Sequence, residues 1–357
     1  MITFGVWPAL SMTSTTKSWA TPRRSVSASR IWVGGYTDDM NGSAEGIRLL
    51  KVAADGSLED HGVAVAADSP SFLTRSGDMI YATCEGGPAV AGYRVVGDEL
   101  HFQGVQDAAG TFPCSLGALR DHSALVVACY GTGTIDVHPL SPDGAIQKTA
   151  QTLRGEGNGV RIEQEGPHAH DVLQLDATTV LTTDLGTDHV YIHRVDGDLL
   201  TRIGSVAFPA GTGPRDLFAH PSGLIWVVAE LSQQVFVLRR SDETLEIVSQ
   251  VSLAGAESDD HASAIGVSED GKFAYVGLRG SDNISVLAVS ADGATLSAVG
   301  FVGSGGGWPR HLVVDGSRLR VANQLTSSVV TFALGPDGIP VKESSLYVPS
   351  PTYLLLD

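Results

Sequence analysis

The stretch PRDLFAHPSGLIWVVAELSQQVFVLR, residues 214–239, reads as three short strands separated by two turns. A proline and a polar residue lead into a short apolar strand, and a turn follows. A longer apolar strand, Ile225–Ala229, ends on the polar Glu230. A Ser-Gln-Gln turn then returns the chain into a third strand. The same order recurs in residues 113–140 (PCSLGALRDHSALVVACYGTGTIDVHPL), 169–195 (AHDVLQLDATTVLTTDLGTDHVYIHRV) and 309–334 (PRHLVVDGSRLRVANQLTSSVVTFAL). Looser copies begin at Pro70 and Ala262. A period of roughly 45 residues built only of strands and turns predicts a β-propeller with one four-stranded blade per repeat.

Six repeats stand alone. The C-terminal residues 351–357 (PTYLLLD) supply the first strand of a seventh, whose partners lie at the other end, in residues 31–52 (IWVGGYTDDMNGSAEGIRLLKV). An unpaired strand edge invites aggregation, and a blade shared between the chain ends removes it. The expectation is one all-β domain over residues 31–357, a seven-bladed propeller of antiparallel strands closed by both termini. Residues 1–30, with Lys17, Arg23, Arg24 and Arg30 and no acidic residue, are expected to form a disordered tail. Their positive charges follow the weakly apolar start rather than precede it, unlike a secretory signal.

Asp-Gly recurs at tight turns, from Asp55-Gly56 to Asp337-Gly338. There Gly takes positive φ freely and Asp bonds its own backbone. Apolar runs such as 125–128 and 319–322 are far too short to span a bilayer. The three cysteines, Cys84, Cys114 and Cys129, have neither the number nor the spacing of a disulfide framework or a zinc site. They read as small buried residues of a cytoplasmic protein. With 40 acidic against 23 basic residues, the net charge of −17 repels nucleic acid and anionic membranes. An anionic small molecule would therefore need a local cluster of arginines.

The propeller geometry says where that cluster lies. The start of each innermost strand and the end of its antiparallel neighbour share one rim. Strand starts hold Ser71, Cys114, His170, Arg215, Ser263, Arg310 and Thr352. Second-strand ends hold Glu85, Tyr130, Asp184, Glu230, Arg279 and either Asn323 or Gln324. A single ion pair at a blade end is usually structural. A whole collection at one mouth costs desolvation and repulsion unless it is used. No P-loop, nucleophile elbow or dinucleotide fingerprint is present. The Gly-rich run 303–307 precedes a strand, as an inter-blade connector does. His168 and His170 share a strand face, but no third ligand stands out, so neither metal nor cofactor is expected.

These residues resemble the seven-bladed propeller lactonases, a family holding a bacterial type of 6-phosphogluconolactonase and the fungal carboxy-cis,cis-muconate cyclases. The resemblance runs through residues 34–37 (GGYT), 45–47 (EGI), 128–140 (ACYGTGTIDVHPL), 166–172 (GPHAHDV), 183–195, 211–235, 277–289 and 307–324, in the family's order. It implies a site of His170, Arg215, Glu230 and Arg279, with Arg310 as a peripheral fifth, and the shared rim adds Tyr130 and Glu85 as expected substrate contacts. Four neighbours depart from the pattern: Asp171 for Ser, Asp216 for His, Ala229 for Asn and Leu278 for Asn.

The implied activity is hydrolysis of a small anionic sugar lactone, 6-phosphoglucono-1,5-lactone first. His170 would act as general base, or relay a proton with Glu230, while the arginines hold the anion and the oxyanion. The alternatives are a muconate-type cycloisomerase using the same residues and a binding propeller without catalysis.

Overall fold

The computed structural model describes residues 28–357 and forms seven four-stranded antiparallel sheets arranged as blades. Blades 1 to 6 run in chain order from 73–107, 113–154, 169–207, 214–252, 261–303 and 309–347. Blade 7 takes its innermost strand, Pro351–Leu356, from the C-terminus. Its other three strands, Arg30–Gly35, Gly46–Val52 and Leu58–Ala66, come from the N-terminal side.

Ring closure has a definite register, from Ile31 opposite Leu356 to Gly34 opposite Tyr353. Asp357 then locks the seam. Its carboxylate lies 2.9 Å from Arg30 Nη2 and 2.6 Å from Arg75 Nη1, and accepts a 2.9 Å hydrogen bond from Trp32 Nε1. Its carbonyl accepts the backbone N–H groups of Ser29 and Arg30. The expected N-terminal tail lies, for residues 1–27, outside the described residues. Ala28 is tied down through a 2.9 Å bond from its N–H to Asp315.

The apolar core lies between blades, not within them. One cluster packs Trp226, Val228 and Val237 of blade 4 against Ala274, Val276 and Leu287 of blade 5. Another packs Trp32, Ile47 and Leu49 of blade 7 against Leu73, Ile80 and Tyr93 of blade 1. Every neighbouring pair of blades has such a cluster. That is why the middle strands read as continuous apolar runs, since both of their faces are buried. The outermost strands alternate exposed with half-buried residues, as Thr244–Ser252 does. Among the described residues no helix is long and apolar enough to cross a membrane.

Candidate functional site

A recurrent bulge builds the mouth of the channel. In each innermost strand of blades 2 to 7 the pairing register skips one or two residues near the strand start, as between Pro113 and Ser115 or Pro214 and Asp216. The skipped positions include Cys114, His170, Arg215, Ser263, Arg310 and Thr352, with Asp171 and Ala264 also skipped in blades 3 and 5. A bulged residue leaves the ladder and its side chain is re-aimed, here into the channel. His170, Arg215 and Arg310 line a narrow central cavity of ≈ 30 Å³ together with Ser71, Cys114 and Thr352.

Second-strand ends form the next tier. Their backbone N–H groups bond the carbonyl of the residue preceding the strand start: Glu85 to Ser69, Tyr130 to Phe112, Leu185 to His168, Glu230 to Gly213, Gln324 to Trp308 and Tyr36 to Ser350. In blade 5 His261 and Arg279 are strand partners at the same place. This repeated bond corrects one reading of the sequence. Leu185, not Asp184, occupies the rim position in blade 3. Asp184 sits one residue earlier, buried, with Oδ1 accepting the N–H groups of His168, Gly186 and Thr187 at 2.8–3.1 Å. It also adds Tyr36, the seventh member of the tier.

Glu230 is the hub. Its Oε2 lies 2.8 Å from Arg215 Nε and 2.6 Å from Arg279 Nη2, and its Oε1 is 3.0 Å from His261 Nδ1. Burial alone would push its carboxyl upward, but Arg279, the His261 hydrogen bond and Arg215 together hold it well below the usual carboxylate range. Glu230 is therefore held as a carboxylate. The contact of Arg215 Nε with the carboxylate is an ion pair rather than an aligned hydrogen bond, and Nε has no hydrogen-bond partner. Burial lowers the Arg279 guanidinium to about 10, against the pull of Glu230. Arg279 also lies over Trp308, 5.4 Å from its ring centre, a cation–π contact.

Arg310 organises a second group. Its Nη2 is 3.7 Å from Glu85 Oε2, beyond hydrogen-bond reach, and its guanidinium sits 4.8 Å from the Tyr36 ring centre. Tyr36 donates a 2.9 Å hydrogen bond to Glu85 Oε1, leaving Oε2 buried without a hydrogen-bond donor.

His170 stands where these groups meet. Burial first, then the positive charge of Arg215, outweighs the pull of Glu230, and its pKa falls well below the ordinary histidine value. The ring is neutral at physiological pH, with Nδ1 buried and unpartnered. Tyr130 faces it edge-on at 6.0 Å and stacks on His168 at 4.4 Å. His168 is pinned through Nδ1 to the Tyr130 carbonyl at 2.8 Å.

The mouth thus brings together all seven of His170, Glu230, Arg215, Arg279, Arg310, Tyr130 and Glu85. Sequence reasoning passed over Tyr36, His261 and Trp308. The signal for the last two was the register itself, since His168 and Trp308 stand directly before a strand start and His261 opens one. The channel below holds Asp171 and Asp216. Asp171 accepts hydrogen bonds from Ser115 Oγ (2.8 Å) and Leu217 N–H (2.9 Å), joining blades 2, 3 and 4. Asp216 accepts one from Ile265 N–H of blade 5 (3.0 Å). A larger surface hollow of ≈ 710 Å³ lies between blades 1 and 2, beside Asp78, Arg94 and His122. It is open and none of the seven residues lines it, so the mouth is the better candidate despite its small cavity.

Comparison with known proteins agrees with the seven-bladed fold. The family model for the seven-bladed β-propeller lactonase matches residues 30–356. A 6-phosphogluconolactonase of Bacillus subtilis is 30% identical over 317 residues, covering 84% of this chain and 90% of its own. The solved structure of a periplasmic gluconolactonase of Pseudomonas aeruginosa superposes with a TM-score of 0.86 at 26% identity, over 91% of this chain and 98% of that one. A protein of Lactobacillus plantarum does so with a TM-score of 0.85 at 27% identity, over 92% and 98%.

Proposed function

The chain belongs to the seven-bladed β-propeller lactonase family, and on that premise we propose that it hydrolyses a small anionic sugar lactone at the mouth of its channel, 6-phosphoglucono-1,5-lactone first among candidates. The observation that carries the reading is the Glu230 cluster, in which one ionised carboxylate holds two guanidiniums side by side. Held in that way, Arg215 and Arg279 keep donors in a fixed geometry for the oxyanion that develops when water attacks the lactone carbonyl. Such preorganised donors act most strongly where water is excluded.

Arg310 takes the anionic end of the substrate. Its carboxylate partner is 3.7 Å away, so its planar fork remains available for bidentate bonds to a phosphate or carboxylate. His170, neutral and with Nδ1 unpartnered, binds the attacking water or a ring hydroxyl. Tyr130 and Glu85 complete the walls, and no step in this scheme calls on a cofactor.

The test is turnover by purified protein on a panel holding glucono-1,5-lactone, its 6-phosphate and a muconate-type lactone, followed by acid release in a pH-stat. Hydrolysis of the sugar lactones, fastest with the phosphate, is the expected result. Turnover of the muconate lactone alone would make it a cycloisomerase. No turnover, with the sugar acids still bound, would make it a binding propeller.

A further inference from the structure

We propose that His261, paired with Glu230, is the proton-transferring residue of this mouth, taking a proton from the attacking water on Nε2 and returning it to the departing ring oxygen. The inference rests on the lactone-hydrolase reading and names a residue that the sequence pattern did not single out.

Geometry makes the pair. Glu230 follows the second strand of blade 4 and His261 opens blade 5. The Ala262 N–H donates to the Glu230 carbonyl at 3.1 Å, fixing the two segments side by side. Glu230 Oε1 lies 3.0 Å from His261 Nδ1, while Oε2 is held by Arg215 and Arg279. The carboxylate is ionised and can only accept, so Nδ1 carries the proton of the pair, and Nε2 is the basic nitrogen of the uncharged ring. A carboxylate on one ring nitrogen fixes the tautomer and stabilises the imidazolium that forms when the other takes a proton. The His261 side chain is 30% exposed, so water and substrate can reach it.

The other imidazoles nearby are spent differently. His170 is surrounded by Arg215, Arg310 and Arg279, which oppose any positive charge on its ring. His168 is committed to the Tyr130 carbonyl through Nδ1, and its Nε2 faces Glu165 at 3.3 Å. His311 lies in the channel with Nδ1 accepting the Leu354 N–H. His261 alone among the described histidines joins a Glu230 partner to a partly exposed ring.

The step balances without a co-reactant. Water oxygen bonds to the lactone carbonyl carbon, and its proton passes to His261 Nε2. The carbonyl oxygen becomes the oxyanion, facing Arg215 and Arg279. When the tetrahedral carbon collapses, its bond to the ring oxygen breaks and His261 protonates that oxygen. The acid product ionises and releases one proton to solution.

The experiment compares His261→Gln and His261→Ala with the wild type. Gln can still donate to Glu230 but has no basic nitrogen. Its kcat should fall about 10²–10⁴-fold, with KM and melting temperature close to wild type. The Ala variant should regain activity in added imidazole, which a merely structural role would not permit. A Gln variant within about threefold of wild-type kcat, or an Ala variant that imidazole leaves unchanged, overturns the proposal while the hydrolase reading stands. A wild-type protein inert toward every lactone overturns both.

Discussion

Glu230 Oε2 lies 2.6 Å from Nη2 of Arg279, and both side chains are about nine-tenths buried. Two groups so placed depend on each other, because either left alone would be a buried charge without a partner. Glu230→Gln should therefore do more than slow turnover. Breaking one partner of a buried pair typically costs about 3–5 kcal/mol, and here Arg215 and Arg279 would also be left facing each other. Thermal melting should show a loss of several degrees. A variant as stable as wild type would mean that the hub contributes little to the fold.

Arg215→Lys keeps the charge and removes the planar fork. The oxyanion would lose an oriented donor, an effect worth about 10²–10³-fold in kcat at comparable sites. Arg310→Lys should instead raise KM for a phosphorylated lactone more than for the unphosphorylated one. Equal effects of the two changes on kcat would contradict the division of labour between oxyanion and anionic end.

His170 offers a test in pH. Burial and the arginines keep its ring uncharged well below the ordinary histidine pKa, so it does not titrate near neutrality. His170→Ala should weaken binding, yet the acidic limb of kcat/KM should fall at the same pH as in wild type. A shift of that limb on removing His170 would show that its ring does exchange a proton in the reaction.

The carboxyls under the mouth carry the opposite sign. Burial, and then the charge of Asp216, raises Asp171 to about 7, and burial raises Asp216 to about 6. A carboxyl whose folded pKa exceeds its unfolded value holds its proton more tightly in the fold. Its contribution is full below about pH 4 and is lost as pH rises toward about 7. Asp171→Asn can keep both hydrogen bonds, accepting from Leu217 N–H and donating to Ser115 Oγ. Its gain in melting temperature over wild type should be larger at about pH 8 than at about pH 5. A gain independent of pH would place the charge elsewhere.

Removing residues 351–357 takes away the innermost strand of blade 7 and the Asp357 bonds to Arg30, Arg75 and Trp32. The whole ring should melt earlier in one transition, because every core is shared between two blades. An unchanged melting curve would mean that the ring does not depend on this strand.

Much of this was legible in the sequence because the repeat is carried by apolar alternation and turn residues. Residues 214–239 and 309–334 look alike, so Arg215, Glu230 and Arg310 could be read off together, while the choice between Asn323 and Gln324 needed the Gln324 N–H bond to Trp308. What the repeat hid was a matter of one residue. Asp184 resembles a strand-end carboxylate, but a register counted from apolar residues cannot see that its oxygen is bent back onto three N–H groups. Tyr36 belongs to the split blade, where the pattern is broken by the chain ends. His261 opens a strand whose next residues are only Ala262 and Ser263, so nothing in that copy announced a functional position. The contact that matters to it comes from Glu230, about 30 residues away in the preceding blade.

The seam in blade 7 also sets a timetable. Among the described strands, Arg30–Gly35 and its two outer partners are made first and Pro351–Leu356 last. At about 5–20 residues per second, the early strands wait on the order of tens of seconds with one long edge unpaired. During that interval blades 1 to 6 can stack one upon another, but the cylinder cannot shut. Until Pro351–Leu356 arrives, the exposed edge of Arg30–Gly35 is the place where a chaperone, or another nascent copy, would meet this chain.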